Sequence, residues 1–322
     1  MKTQKSMQLP KSVFTFSFDT ELIWGMFRYN PAFQNKLDKD WFKKRRNIQL
    51  MLREFNRYDI PATWAIVGHL FLDKCNKKHA DIKKGDDWIK QDPGTNLKKA
   101  PLWYGKDIID LILSSKAKHE IASHSFSHID FDTCSPAVAD SELKKCRSLF
   151  NKLPCKLTTF IFPRDKYGNF EALRKNNIKI YRKEVKTKRD LLKSRFFKKI
   201  VRALDIFCFF KADPLEPIVQ NNKLIQMPKS RLIVPINKET TGISSKTLLN
   251  IIKYFNLLKI KRTINKAIAK KIPIHLYSHP IDFTSPADLV YLRKILAFVK
   301  KKEMQKKLEC LTMQQTYEKY LK

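Results

Sequence analysis

Short apolar runs rich in β-formers alternate with longer segments of helical periodicity along the first half of this chain, and that alternation constrains the fold more than any other feature. Residues 13–18 precede 41–58, 62–67 precede 103–114, 120–123 precede 136–151, and 158–162 precede 168–176. A helix between two strands carries the chain back to the edge where the first strand began, so successive strands run parallel with helices packed outside. Further strand candidates are 178–181, 224–227, 273–278 and 308–311. The expected fold is α/β, a distorted (β/α) barrel of about seven parallel strands. The 322 residues are read as one domain over 1–322. Barrels of this kind keep their chemistry just past the C-terminal ends of the strands, so polar residues that follow apolar runs are the ones to weigh.

One stretch breaks the rhythm. Arg182 to Lys211 holds eleven Lys/Arg against three Asp/Glu, then merges with an apolar run ending in Phe209 and Phe210. It reads as a basic helical insertion at about 182–222, a solvated wall helix or a contact with an anionic membrane surface. The whole chain carries 65 Lys+Arg and 31 Asp+Glu, a net charge of +34, which favours anionic partners without choosing among them. No zinc finger, RNA-binding aromatic signature or basic zipper accompanies the charge, so no nucleic-acid partner is expected and that reading is the runner-up from another class. The first eleven residues lack an apolar core of signal length, and the expected location is cytoplasmic, peripheral at the inner membrane face. Six cysteines without CxxC pairing read as reduced thiols.

Asp19 and Glu21 leave the first strand two residues apart, a spacing at which two carboxylates face the same side. One can hold a metal while the other handles a proton; a loop or capping role is the alternative. His124 and His128 follow the third strand at i and i+4, which on a helical turn brings both imidazoles to one ion. Two histidines and a carboxylate leave coordination positions open for substrate and suit zinc, iron, cobalt or nickel. Arg164, after the fourth strand, can orient a carboxylate, and the turn through Tyr167 can offer backbone donors to an oxyanion. His279 closes a late strand and is placed to serve as a general acid. His275, in the same alternation but deeper, reads as a core histidine. Trp24, Trp64 and Trp103 are candidates to stack on sugar faces, or else core residues.

Together these segments resemble the polysaccharide deacetylases, the NodB-homology group of carbohydrate esterases. The matching motifs, in order, are Ser17-Phe18-Asp19-Thr20-Glu21, the HxxxH of His124-Ser125-Phe126-Ser127-His128, the turn Arg164-Asp165-Lys166-Tyr167-Gly168, and Leu276-Tyr277-Ser278-His279. The resemblance implies that Asp19 is the catalytic base, His124 and His128 metal ligands, Arg164 the tether of the base, Tyr167 the oxyanion donor and His279 the acid. Much of the family has its metal carboxylate directly after the base. Here that place is Thr20, so Glu21 is taken as the ligand, as in a subgroup with Asp-x-Glu. The implied cofactor is one divalent ion, zinc before iron, cobalt or nickel. The implied reaction is removal of an N-acetyl group from an amino sugar of an envelope polysaccharide, lipopolysaccharide or cytoplasmic precursor; a non-sugar amide is the alternative substrate.

Overall fold

The computed structural model describes residues 5–6, 9–26, 39–79, 87–184, 216–219, 224–283 and 286–321. Its strands are β1 (Lys5–Ser6), β2 (Ser12–Thr20), β3 (Thr63–Ile66), β4 (Glu120–Ser123), β5 (Thr159–Ile161), β6 (Ile180–Lys183), β7 (Ile218–Val219), β8 (Ile225–Pro228), β9 (Arg231–Leu232), β10 (Ile274–Ser278) and β11 (Leu308–Cys310). They form one sheet in the order β1-β7-β8-β6-β5-β4-β3-β2-β10-β9, with β11 also on β2. The seven strands β8-β6-β5-β4-β3-β2-β10 are all parallel, while β1 and β7 pair antiparallel at one edge. The sheet is a half-barrel rather than a closed one, an α/β architecture of the expected kind.

Strand alternation sorts the two faces. Phe14, Phe16, Phe18, Trp64, Ile121, Phe160 and Tyr181 join the large outer core under the helices. Val13, Ala65, Ala122, Ile161, Ile180, Ile225 and Met227 fill the concave face with Met313 and Leu321 of the C-terminal segment. The period of two therefore carries Asp19, Arg182 and Tyr277 onto the concave side, with His124 and His279 one step beyond their strands. The outer face is dense with rings: Phe18 stacks on Trp64 at 4.2 Å, and Phe16 and Phe18 both meet Phe55 of helix Lys39–Tyr58 edge-on.

Two helices to which the sequence reading assigned nothing, Lys246–Lys270 and Pro286–Met304, pack against β10, β2 and β11. Their apolar residues are spread around the axis, with Ile251, Tyr254 and Val290 exposed, so neither shows a clean stripe. The proposed insertion at 182–222 falls largely outside the described residues. Its first two residues do not belong to it: Arg182 and Lys183 finish β6.

Candidate active site

At the C-terminal rim of the sheet, Glu21 Oε1 lies 3.0 Å from both His124 Nε2 and His128 Nε2. Glu21 follows β2, whose last residue Thr20 has its hydroxyl buried and unpartnered among the described residues. Leu22 then takes a left-handed backbone, φ 48°, and starts a single 3-10 turn, Leu22–Gly25. That turn folds Gly25 onto the Glu21 carboxylate: a Cβ on Gly25 would stand 1.7 Å from Glu21 Oε2. Only glycine leaves room for the acid there.

The HxxxH segment is not helical, contrary to expectation. Ser125 and His128 are left-handed, φ 59° and 61°, and the loop is held by buried Glu142 of helix Pro136–Phe150, which accepts from the backbone of Phe126 and Ser127 and from the Ser127 hydroxyl. Three donors on one carboxylate replace the hydrogen bonds that a helical turn would have made. The loop after β3 presses on it, Gly68 N–H donating to Ser125 O at 2.8 Å; a Cβ on Gly68 would meet Phe126 Cα at 2.9 Å.

His124 and His128 differ in preparation. A carbonyl can only accept, so the bond between His124 Nδ1 and Ile161 O, 2.8 Å, puts the ring proton on Nδ1 and leaves Nε2 a lone pair aimed at Glu21. A guanidinium can only donate, so Arg164 Nη1, 2.8 Å from His128 Nδ1, leaves the neutral His128 ring with its proton on Nε2, facing Glu21. Burial, helped by His124 and Arg164, holds His128 down to about 4 against the pull of Glu21, so the ring is neutral. The donor atoms of Glu21, His124 and His128 lie within 4.8 Å of one another. Two imidazoles and a carboxylate so placed fit a divalent ion, with His128 having to release or relocate its proton as the ion binds.

Arg164 does not tether the base. Its Nε donates to Asp130 at 2.6 Å and its Nη2 to His128 O at 2.9 Å. The left-handed backbone at Arg164 and Asp165, φ 50° and 55°, turns this guanidinium toward the histidine loop rather than toward β2. The partner of Asp19 is Arg182, whose Nη1 and Nη2 each donate to one carboxylate oxygen at 2.6 Å. Arg182 is buried, binds Ser17 at 3.0 Å and lies 4.4 Å from the Tyr277 ring centre. Burial raises the Asp19 pKa, but Arg182 outweighs it and draws the carboxyl down to about 2. Sequence reading missed Arg182 because it counted with the basic run that follows; its signal was an arginine continuing an apolar strand at the catalytic end.

His279 Nε2 is 3.8 Å from Asp19 and 4.0 Å from Glu21, and its Nδ1 is 3.4 Å from Asp282. Burial works against its charge, but Asp282, Glu21 and Asp19 together lift it to about 9. With its side chain 30% exposed, it faces the open side of the cluster. Tyr167 donates its hydroxyl to Asp165 and accepts from the Glu184 N–H. His275 is buried and bonds Ser17 at 2.8 Å. The three tryptophans are corrected to core: Trp24 and Trp64 are 0% exposed and Trp103 is 7%. Trp24 packs on His69 and Trp103, and Trp64 on Phe18, so none presents a face to a sugar.

The model of the polysaccharide deacetylase family matches residues 37–179, a stretch that holds His124, His128, Arg164 and Tyr167 but not Asp19, Glu21, Arg182 or His279. No curated protein matches the chain. Among solved structures, a candidate polysaccharide deacetylase from Mycobacterium smegmatis is 13% identical with a TM-score of 0.65, covering 97% of this chain and 92% of that one. Puue allantoinase is 12% identical with a TM-score of 0.56 over 97% and 92%. A candidate polysaccharide deacetylase from Pseudomonas aeruginosa PAO1 is 11% identical with a TM-score of 0.54 over 96% and 91%. Residues 37–179 thus match the polysaccharide deacetylase family model, within a fold that nearly the whole chain shares with these structures.

Proposed function

We propose that this protein is a metal-dependent N-deacetylase that releases acetate from an N-acetylated amino sugar of an envelope glycan or its precursor. The family match supports deacetylation of a polysaccharide. The observation that carries the finer reading is the convergence of Glu21, His124 and His128 between a fixed carboxylate, Asp19, and a protonated imidazole, His279, on the open rim of the sheet.

Glu21, His124 and His128 would hold a divalent cation, zinc in our reading, which would supply Lewis acidity, bringing the pKa of water toward about 7 and polarising the acyl oxygen. The chain's own residues do the rest. Asp19, ionised at every physiological pH, accepts the proton of the attacking water; a carboxylate held this low is a weak base and works only on an acidified donor. Arg182 keeps it aimed. His279, charged at neutral pH and steadied by Asp282, donates a proton to the departing amine. Arg164, anchored on Asp130, holds His128, and the Tyr167 backbone N–H is assigned to the acyl oxygen as charge develops there.

The charge of +34 favours a substrate that carries phosphate, on a nucleotide or lipid, and a cytoplasmic site at an anionic membrane face, with the basic residues that follow Lys183, up to about 222, as the contact. Among the described residues no helix is long and apolar enough to cross a membrane. Flotation with anionic against neutral vesicles tests the location; equal recovery would contradict it. A second reading, hydrolysis of a non-sugar amide, is favoured by the burial of all three candidate sugar-stacking tryptophans. Acetate release from N-acetylated sugars, measured beside ammonia or amine release from small amides and ureides, decides between them.

A further inference from the structure

The segment between β3 and helix Lys106–Leu113 holds a second group of donors that the catalytic reading does not use. His69 lies on the 3-10 turn Gly68–Phe71, Cys75 and His79 follow it, and Asp92 comes after the turn Asp87–Gln91. Asp92 Oδ2 is 3.1 Å from His69 Nε2, 2.7 Å from His79 Nε2 and 2.9 Å from Cys75 Sγ, while Cys75 Sγ is 3.7 Å from His69 Nε2. All four donor atoms lie within 4.8 Å of one another. Donors about 2.0–2.3 Å from a shared tetrahedral zinc stand roughly 3.3–3.7 Å apart; Cys75 Sγ and His69 Nε2 stand at that spacing, and the three hydrogen-bond-length contacts of Asp92 Oδ2 would open by roughly half an ångström around an ion.

One contact in the group calls for a positive charge. Trp103 O accepts from His69 Nδ1 at 3.0 Å, which fixes the proton there and turns the Nε2 lone pair of the neutral ring onto a carboxylate oxygen. Two lone pairs at 3.1 Å repel, so the contact requires either a cation held between them or a second proton on the His69 ring. The surroundings are also those of a ligand shell. The Gly94 N–H and the Tyr104 hydroxyl bond Asp92 Oδ1 at 3.0 and 3.4 Å, leaving Oδ2 to the cluster. Burial and the bond to Asp92 push the Cys75 thiol up, with the Lys77 N–H a smaller opposing contact, so without an ion the sulfur keeps its proton. The paired segments at Asp73–Cys75 and Thr95–Leu97 bracket the group.

We propose that His69 Nε2, Cys75 Sγ, His79 Nε2 and Asp92 Oδ2 bind a structural zinc ion, separate from the ion at Glu21, His124 and His128. Two imidazoles, a thiolate and a carboxylate select a borderline divalent ion over calcium or magnesium. Four protein donors, with His69 and Asp92 fully buried and His79 nearly so, leave no position for substrate, which makes the site structural rather than catalytic. Binding displaces the Cys75 proton to solvent. The ion's effect reaches the active site through two contacts: the His69 backbone N–H donates to Phe126 O at 2.9 Å, within the loop between His124 and His128, and the His69 ring packs 4.5 Å from Trp24 on the turn after Glu21.

The test is zinc stoichiometry and cobalt spectroscopy of the full chain. Wild type is expected to hold two zinc ions per chain, the E21Q/H124Q double variant one, and C75S or D92N one. Cobalt-loaded E21Q/H124Q keeps a thiolate-to-cobalt charge-transfer band in the near ultraviolet, and C75S loses it. If C75S or D92N fails to fold, the wild type and E21Q/H124Q still decide. A zinc-free E21Q/H124Q variant without the cobalt band would overturn the site and leave an imidazolium–carboxylate network in its place. That result leaves the deacetylase reading intact, because the latter rests on the other ion.

Discussion

The rim of this half-barrel carries two histidine-acid clusters built from the same chemistry and completed differently. Around Glu21, His124 and His128 the cluster is open: Glu21 is 11% and His279 30% exposed by side chain, and three protein donors leave room for other ligands. Around His69, Cys75, His79 and Asp92 four protein donors converge, with His69 and Asp92 at 0% and Cys75 and His79 partly buried, so the donor set is complete without an outside ligand. An incomplete set suits turnover, a complete one suits structure. The lesson is that donor identity alone does not separate the roles; donor count does.

The sharpest break between the clusters comes from variants that spare the fold. His124→Gln is expected to remove one ion and reduce acetate release to background while the melting temperature falls little. Asp92→Asn is expected to do the reverse, lowering the melting temperature while retaining measurable turnover. An Asp92→Asn enzyme that is fully stable yet dead would merge the two clusters into one functional unit.

Arg182→Met comes next. It leaves the buried Asp19 without its counter-charge, and breaking a pair of this kind costs about 3–5 kcal/mol. Urea unfolding should show that loss, along with slower turnover; an unchanged midpoint would mean that the pair contributes nothing. Gly25→Ala forces the Glu21 carboxylate aside and should weaken zinc affinity at the open cluster by about 10–100-fold, the scale seen when support for a ligand is lost, with the four-donor cluster's ion unaffected. Competition with a chelator measures both.

The smallest effect expected is on pH. His279 has its folded pKa raised, to about 9, above the ordinary value of 6.5. Its stabilising charge is fully present below 6.5 and lost as pH rises through about 9, and the acid form needed for turnover is lost through that same folded value, so turnover falls on the alkaline side. Asp282→Asn removes the nearest support and should move that limb to lower pH. An unmoved limb would take His279 out of the acid role.

Much of this was legible in the sequence. The alternation of 13–18, 62–67, 120–123 and 158–162 with helical segments located the parallel core within a residue or two of the observed strands, because apolar strands between parallel neighbours leave a strong local signal. Asp19, Glu21, His124, His128 and His279 were each visible at a strand end, and the fold brings all five together. What was not legible depended on three-dimensional pairing. Arg182 was hidden in a run of charges, and only the neighbouring strands show that it is buried against Asp19. His69, Cys75, His79 and Asp92 are separated by loop residues without a repeating interval, so no motif announced them, and Cys75 was read as one reduced thiol among six. The tryptophans misled because a large aromatic beside a site looks the same in sequence whether it lines the cleft or supports it from behind.

The central claim is tested most directly by acetate release from N-acetylated amino-sugar substrates, comparing zinc-loaded wild type with Asp19→Asn at matched zinc content. The account predicts acetate from the wild type, abolished by chelation and restored by zinc, and a rate about 10²–10⁴-fold lower in Asp19→Asn. Equal rates in the two proteins, or wild-type release that survives complete removal of metal, would contradict it.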